Sequence, residues 1–373
     1  MKVAVIGGGV MGAAAGWRLA TRGVEVVVFD RHSPPHPLGS SHGESRIIRT
    51  AYWEGPWYVP LLHEVFLMWR ELEGLGGQRI LTMTGALMIG NESSEVVSGA
   101  MASAREHHLD AELLDTEQFS RRYRGHVVRE GDVAVLDRQA GILNPERAVT
   151  AMLAQVPEVR RETKVDSIGA LRSRFDAVVV AAGPWTAELV DWIPVTVERQ
   201  VHGWFSIARD AEAGNWFGPD RFPAFVRQSS DSGFMYGIPS LDGRTVKVGR
   251  HHEGETTTPH TIRRRVDEYD LDPLRLLTAT HMRGVSGHVA QTLTCMYTNT
   301  PDNHFVIDFS PDDRRVVVIS ACSGHGFKFG PVIGDIAADL VLEGGTRRDI
   351  SRFSAARFAP SPEVPHRDGR RHQ

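Results

Sequence analysis

Residues 7–12 read Gly-Gly-Gly-Val-Met-Gly, a G-x-G-x-x-G run. It follows a short apolar strand pattern at 3–6 and opens a helical pattern at 13–21 that closes at Gly23. Such a run suits a pyrophosphate. Gly7 permits a tight turn, Gly9 lets backbone N–H groups approach the phosphate oxygens, and Gly12 lets the helix lie close on the strand. The helix N-terminus adds partial positive charge, and Asp30, ending a second buried strand at 25–29, can accept hydrogen bonds from a ribose. A lone glycine motif says little. Here strand, turn, helix, strand and acid follow in order, and together they point to a dinucleotide site.

Cations supply the second kind of chemistry. Arg46 and Arg49 stand three apart in HGESRIIR (42–49), a spacing that lets them share one face of a helical turn. They lead into a stretch holding Tyr52, Trp53, Trp57 and Tyr58. Two readings stay open: a solvated pair of cations, or a buried anion site, which cations among apolar and aromatic residues suggest. Lys247 lies between two valines in TVKVGR (245–250), and strand alternation leaves open whether it faces solvent, the usual place for lysine, or a cavity. The apolar strand within 174–186 ends in Ala-Gly-Pro-Trp around Gly183, either an ordinary turn or a backbone cleft toward a ligand. An apolar strand at 315–321 enters CSGHGFKFG (322–330), with Gly324, Gly326 and Lys328, and a closing helix follows at 332–342. Strand, glycine turn and helix thus recur, so both chain ends are expected to serve one cofactor site. His63-Glu64 opens an apparent HExxH, but position 67 is leucine, and no other Cys/His spacing suggests a metal.

Other elements must position these groups. Helices are expected at 60–73, 94–107 and from Asn144-Pro145-Glu146, where Asn caps and Pro starts the helix. Strands are expected at 81–89, 133–136, 200–207, 233–238, 292–298 and 304–309. A charged helix start is expected at 261–267, a Gly-rich linker at 282–289, and a disordered polar tail at 360–373. A chain of 373 residues exceeds a single core and predicts two domains or one elaborate α/β unit. The net charge of −4 gives no footprint for nucleic acid or an anionic membrane, and no apolar run is long enough to span a bilayer. The apolar N-terminus is broken by three glycines and continues into the Asp30 strand, so it reads as core rather than signal peptide. Two cysteines, Cys295 and Cys322, make no disulfide framework and fit a reducing cytoplasm. Only four of the 42 Lys+Arg residues are lysines: Lys2, Lys164, Lys247 and Lys328.

These motifs carry a resemblance. GGGVMG, HGESRIIR, VVVAAGPWT (178–186), YGIPS (236–240) with KVGRHH (247–252), TCMYTNTPDNHFVID (294–308), and CSGHGFKFG followed by DIAADL and RDISRF stand in one order over nearly the whole chain. The sequence resembles the monomeric sarcosine oxidase and N-methyltryptophan oxidase family, flavin amine oxidases related to D-amino acid oxidase. The resemblance implies a Rossmann-type FAD-binding domain (1–82, 142–197 and 303–373) interleaved with a mixed-sheet α+β substrate domain (83–141 and 198–302). It implies FAD, with Cys295 at the position of a thioether link to the flavin 8α-methyl. It matches Arg49 and Lys328 to a pair binding the substrate carboxylate, Arg46 to a cation near the flavin, and His42 and His251 to histidines around the site. Tyr236 and Tyr297 match aromatic cavity walls, and Lys247 matches a lysine that helps oxygen react.

Three departures put the substrate in doubt. The stretch between Arg161 and Phe175 is shorter than in the family, Cys322 replaces a bulkier residue, and a loop at 227–232, expected to help enclose the side-chain pocket, matches poorly. The resemblance implies oxidation of an N-methyl amino acid to imine, then amine and aldehyde, with hydrogen peroxide from oxygen, and a monomer. A cyclic secondary amino acid such as pipecolate, or a related imine, is an alternative substrate. A flavin binder without turnover is a third reading, disfavoured by the paired cations.

Overall fold

The computed structural model describes residues 1–231 and 233–359; the tail expected to be disordered at 360–373 lies outside the described residues. Its first layer is a six-stranded sheet in the order Val306–Ser310, Asp313–Ser320, Ala177–Val180, Lys2–Ile6, Glu25–Phe29, Glu158–Arg160. All neighbours pair in parallel except the first strand, which returns antiparallel at the edge. The central strands are apolar on both faces because both are covered. The helices Val10–Thr21 and Gly330–Glu343 pack on one face, while Leu171, Phe175 and Ile193 cover the other. From Lys2–Ile6 the chain proceeds to Glu25–Phe29 and Glu158–Arg160 on one side, then crosses to Ala177–Val180 on the other. Strand order reverses there, and in open α/β sheets ligands bind at the carboxyl ends of such a pair.

The second layer is a nine-stranded mixed sheet. Its path runs Thr256–Thr257, Thr196–Ile207, Thr245–Arg250, Gly233–Ile238, Ala224–Ser229, Ala86–Gly90, Val133–Asp137, Ala111–Leu114, and Val285–Asn299 pairs along Thr196–Ile207. A three-stranded sheet of Arg46–Ile48, Gly141–Leu143 and Leu81–Met83 lies at the joint. The two larger sheets draw on alternating stretches of sequence, so the Rossmann-type part and the mixed-sheet part are interleaved.

Register decides which side chains share a face. Lys247 pairs with Trp204 and Ile238; His202 pairs with Gly249 and Leu293; Gly249 pairs with Tyr236; Cys295 pairs with Gln200. Paired residues point the same way and alternate residues repeat the side. Tyr236, Ile238, Lys247, His202, Cys295 and Tyr297 therefore stand on one face.

Several expectations need correction. Arg46 and Arg49 are not on a helical turn: Arg46–Ile48 is a strand, paired with Gly141–Leu143. The single strand expected at 81–89 is two, broken at Gly85, whose φ of +69° ends the extended run and sends Ala86–Gly90 into another sheet. The helix expected from 261 begins at Glu268, because the Asp267 side chain caps the Asp270 N–H and ends the irregular run before it. The linker expected at 282–289 is largely the start of the strand Val285–Asn299, since pairing with Thr196–Ile207 overrides its glycines. Arg227 is not in a pocket-enclosing loop. It lies on the strand Ala224–Ser229, where Val226 lines the cavity and Arg227 points away to Asp132 at 3.0 Å; Ser232 lies outside the described residues.

Candidate active site

One cavity runs from the glycine turn to Lys328, between the two large sheets. At its first end the three glycines divide their work. A Cβ on Gly7 would sit 2.3 Å from the Ala181 carbonyl oxygen, and one on Gly12 1.8 Å from the Gly7 oxygen, so these two let strand, helix and neighbouring strand close up. A Cβ on Gly9 would meet only Ser41 Oγ, at 3.3 Å, so Gly9 keeps the helix N-terminus open rather than packed. Gly9 caps that helix without a side chain. Asp30 takes the Gly8 N–H at 2.6 Å and the His32 N–H at 2.7 Å, and still lines the cavity. Burial works against its charge, but hydrogen bonds from His36, His32 and Gly8 outweigh it and hold the carboxyl below its usual range. Gly183, Gly324 and Gly326 also line the cavity; Gly12 does not.

In the middle lie Arg46, Lys247 and Cys295. Arg46 donates to the carbonyls of Ser45 at 2.8 Å and Ser40 at 2.9 Å, and its Nη2 lies 3.7 Å from Cys295 Sγ. Lys247 is buried, which settles the choice between solvent and cavity. Its Nζ donates to Gly43 O at 2.7 Å and Ser45 O at 3.3 Å and lies 5.1 Å from the Trp204 ring centre. Glu146, on the helix Pro145–Leu153, accepts the Gly43 N–H at 2.6 Å and so fixes the loop that carries these carbonyls. Burial, then the Arg46 charge, bring Lys247 down to about 7. His42 sits behind the wall rather than on it, with Nε2 3.0 Å from Gly39 O; burial, then Arg46, lower it to about 3.

At the far end Arg49 and Lys328 meet. The buried Asp137 carboxylate accepts the Thr50 N–H at 2.5 Å and the Ala51 N–H at 2.9 Å, pinning the corner after Arg49. Trp69, on the helix Val59–Gly76, donates to the Lys328 carbonyl at 2.9 Å. Arg49 is not vacant: its Nη2 lies 2.5 Å from both oxygens of Glu54. Burial opposes the Glu54 charge, but Arg49, His325 and Lys328 overcome it and hold the carboxyl at about 2. Lys328 Nζ donates to His325 O at 2.7 Å and to Tyr52 Oη at 3.3 Å. Burial, then Arg49, bring Lys328 down to about 7.

The partners of His325 fix its tautomer. Nε2 lies 3.0 Å from the Asn303 carbonyl, so it carries the proton; Nδ1 must then accept from Tyr52 Oη at 2.6 Å. Tyr52 Oη in turn accepts from Lys328, so every hydrogen in the chain Lys328, Tyr52, His325, Asn303 points the same way. Tyr236, Tyr297, Trp53 and His251 wall this end. His251 Nδ1 lies 3.3 Å from Tyr297 Oη, and burial, then His252, keep its imidazole neutral.

Sequence reasoning missed Glu54, half-buried, and Tyr52, His325 and His202, buried, all in or against this cavity. The acid directly after Tyr52-Trp53, within an aromatic run, was the available signal for Glu54. The histidine between Gln200 and Trp204 on an alternating strand was the signal for His202.

A glycine cradle at the switch point of a parallel sheet, with a second sheet closing over it, marks a dinucleotide-dependent oxidoreductase. The open helix N-terminus suits a pyrophosphate, Asp30 suits a ribose, and the neutral and cationic groups on the second sheet suit a flavin ring. The chain belongs to the FAD dependent oxidoreductase family, which its residues 2–340 match, and it depends on FAD. It is 35% identical to a monomeric sarcosine oxidase of Streptomyces avermitilis over 96% of this chain and 98% of that one. It is 32% identical to an N-methyl-L-tryptophan oxidase of Yersinia pestis over 95% and 98%. Its fold is similar to that of NikD, an unusual amino acid oxidase essential for nikkomycin biosynthesis, with a TM-score of 0.80 at 23% identity over 94% of this chain and 96% of that one.

Proposed function

We propose that this protein is an FAD-dependent oxidase of secondary amino acids, acting on N-methyl amino acids. The observation that carries the reading is the single cavity joining the dinucleotide cradle to the buried cations Arg49 and Lys328. The names of its relatives, oxidases of sarcosine and of N-methyl-L-tryptophan, support it. When bound, FAD would supply the acceptor for a hydride from the C–H next to nitrogen and the route of both electrons to oxygen, which would leave as hydrogen peroxide. The chain's residues do the rest. Arg49 and Lys328 clamp the carboxylate by charge-assisted hydrogen bonds. Tyr236, Tyr297, Trp53 and His251 exclude water around the amine, and the released imine hydrolyses to amine and formaldehyde. Lys247, with Arg46 beside it, is a fixed cation for the charge that builds on oxygen. Gly7, Gly9, Asp30, Gly183, Gly324 and Gly326 hold the cofactor, Gly12 packs its cradle, and Cys295 tethers the ring. His42 supports the Gly39 carbonyl behind that wall.

The division into 1–82, 142–197 and 303–373 against 83–141 and 198–302 is supported by the six-stranded sheet, which draws on the first set alone, although the bounds at 82/83, 141/142 and 197/198 fall within strands. The two free cysteines support a reducing, cytoplasmic setting, and the name of the sarcosine relatives supports a monomer. The described residues include no helix long and apolar enough to cross a membrane.

Anaerobic mixing with a panel of N-methyl amino acids, cyclic secondary amino acids and carboxylate-free amines tests this reading. An N-methyl amino acid should bleach the flavin absorbance and, with oxygen, release peroxide and formaldehyde. A ring substrate releases no formaldehyde. Equal turnover of acids and their decarboxylated analogues would overturn the carboxylate clamp.

A further inference from the structure

His202 is a polar ring in the cavity to which the functions above give no task. It lies on the strand Thr196–Ile207, is 2% exposed and lines the cavity, yet neither Nδ1 nor Nε2 has a hydrogen-bond partner among the described residues. Leaving two buried polar atoms unpaired is costly, so a strand position that keeps them calls for a ligand. Register supplies the neighbour. His202 pairs with Gly249 and Trp204 with Lys247, so His202 and Lys247 are diagonal neighbours on one sheet face. Diagonal residues in antiparallel strands stand roughly 7–8 Å apart at Cα, within reach for long side chains. Lys247 uses two of its three N–H groups on Gly43 O and Ser45 O, which leaves one.

We propose that His202 is a positioning residue for the oxygen half of the reaction: its imidazole and the remaining N–H of Lys247 hold one water molecule between them, with a ring nitrogen as the acceptor. A single bridging water spans about 5.5 Å between the groups it joins, two hydrogen bonds of about 2.8 Å. The ring is suited to accept. Burial, then Lys247, Arg46 and His42, all disfavour an imidazolium there, so His202 stays neutral with one free lone pair. An acceptor within one water of the ammonium favours its charged form against the burial that removes it. The other groups facing Lys247 are Arg46 and His42 from the loop and strand before it, Cys295 and Tyr236 from neighbouring strands, and Glu44 and Glu146, whose charges favour the ammonium. Glu44, Glu146 and His42 do not line the cavity, although His42 Nδ1 also lacks a partner among the described residues, so His202 is the unpartnered imidazole on the cavity wall. The role rests on the reading of Lys247 as the oxygen-side cation, and it can fail without that reading.

The sequence makes the test direct, because only four lysines exist to be seen. The holoenzyme, labelled with 13C at lysine Cε, gives four resonances, and Lys247→Met assigns one of them. In the wild type the Lys247 resonance should titrate near neutrality. In His202→Phe, which keeps a ring and removes both nitrogens, its midpoint should fall by about one pH unit. His202→Asn, which restores an acceptor, should recover most of that shift. The Lys328 midpoint, in another part of the cavity, should not move in either variant. Oxygen consumption in pre-reduced His202→Phe should slow about tenfold above the wild-type midpoint, one decade per pH unit of lost protonation. His202→Leu must reproduce these shifts if His202→Phe folds poorly. An unmoved Lys247 midpoint in both apolar variants overturns the proposal. If instead Lys247→Met leaves oxygen consumption unchanged, the reading of Lys247 itself is lost.

Discussion

Glu54 holds both of its carboxylate oxygens 2.5 Å from Nη2 of Arg49, within the cavity end where a substrate carboxylate would bind. The pair is internally neutral, so the net cation available to a ligand is Lys328. An incoming carboxylate has to share Arg49 with Glu54 or displace it. Glu54→Gln removes the competing charge and should tighten binding of a simple, unoxidisable carboxylic acid about tenfold, one decade for about 1.4 kcal/mol. Arg49→Ala should weaken the same ligand by a similar factor, since a hydrogen bond to a charged group contributes about 1.5–3 kcal/mol. Perturbation of the flavin absorbance reads both constants. Weaker binding to Glu54→Gln would mean instead that Glu54 serves to aim the guanidinium.

Cys295 stands on the shared sheet face, its sulfur 3.7 Å from Arg46 and lining the cavity. Acid-precipitated wild type should therefore stay yellow, and Cys295→Ala should release all its flavin to the supernatant while keeping it in the native state. Complete release from the wild type would exclude a covalent link.

What the sequence made legible was local. Gly12 and Asp30 work with neighbours within one strand-turn-helix-strand unit, so their spacing states their packing, whereas the close neighbour of Gly7 is Ala181, far along the chain. Lys247 was ambiguous because alternation fixes two faces of a strand without saying which one is covered; that needed the partner strand carrying Trp204. The stretch at 282–289 looked like linker for the same reason, since its pairing partner lies some eighty residues earlier. Glu54 lies only five residues from Arg49 but outside any regular spacing, and the chain through Tyr52 and His325 joins residues far apart in sequence; no periodicity records either contact.

His126 gives a stability prediction away from the site. It stacks on Phe222 at 4.6 Å between ring centres, meets Phe119 and Phe225, and neither ring nitrogen has a partner among the described residues. Burial, then Arg227 and His281, lower its pKa well below the usual value. The unfolded chain takes up a proton at about pH 6.5 that the folded chain refuses. Stability from this residue is thus complete above pH 6.5 and falls as pH drops, by at most about 1.4 kcal/mol per unit. His126→Phe should raise the melting temperature more at pH 5 than at pH 8. A gain independent of pH would show that packing alone accounts for it.

Lys328, if it meets the substrate carboxylate as proposed, should make binding depend on pH in the opposite sense. Its pKa in the free site is about 7, lowered by burial and then by Arg49. A bound carboxylate adds a negative charge beside the ammonium and raises that value. Below pH 7 Lys328 is already charged in the free protein, and the affinity for a carboxylate should be flat. Above pH 7 the free site loses its cation, and each binding event must take up a proton. Affinity should then fall about tenfold per pH unit until the pKa of the complex is reached. Calorimetric titration at pH 8 in two buffers of different ionisation enthalpy should register uptake of about one proton. Lys328→Met should bind more weakly at pH 6.5 and lose the pH dependence. If the wild-type affinity stays level from pH 6.5 to 9 and Lys328→Met binds as tightly as the wild type, Lys328 is not the cation that the carboxylate meets and the clamp rests on Arg49 alone; a level profile with weakened Lys328→Met means that Lys328 stays charged throughout.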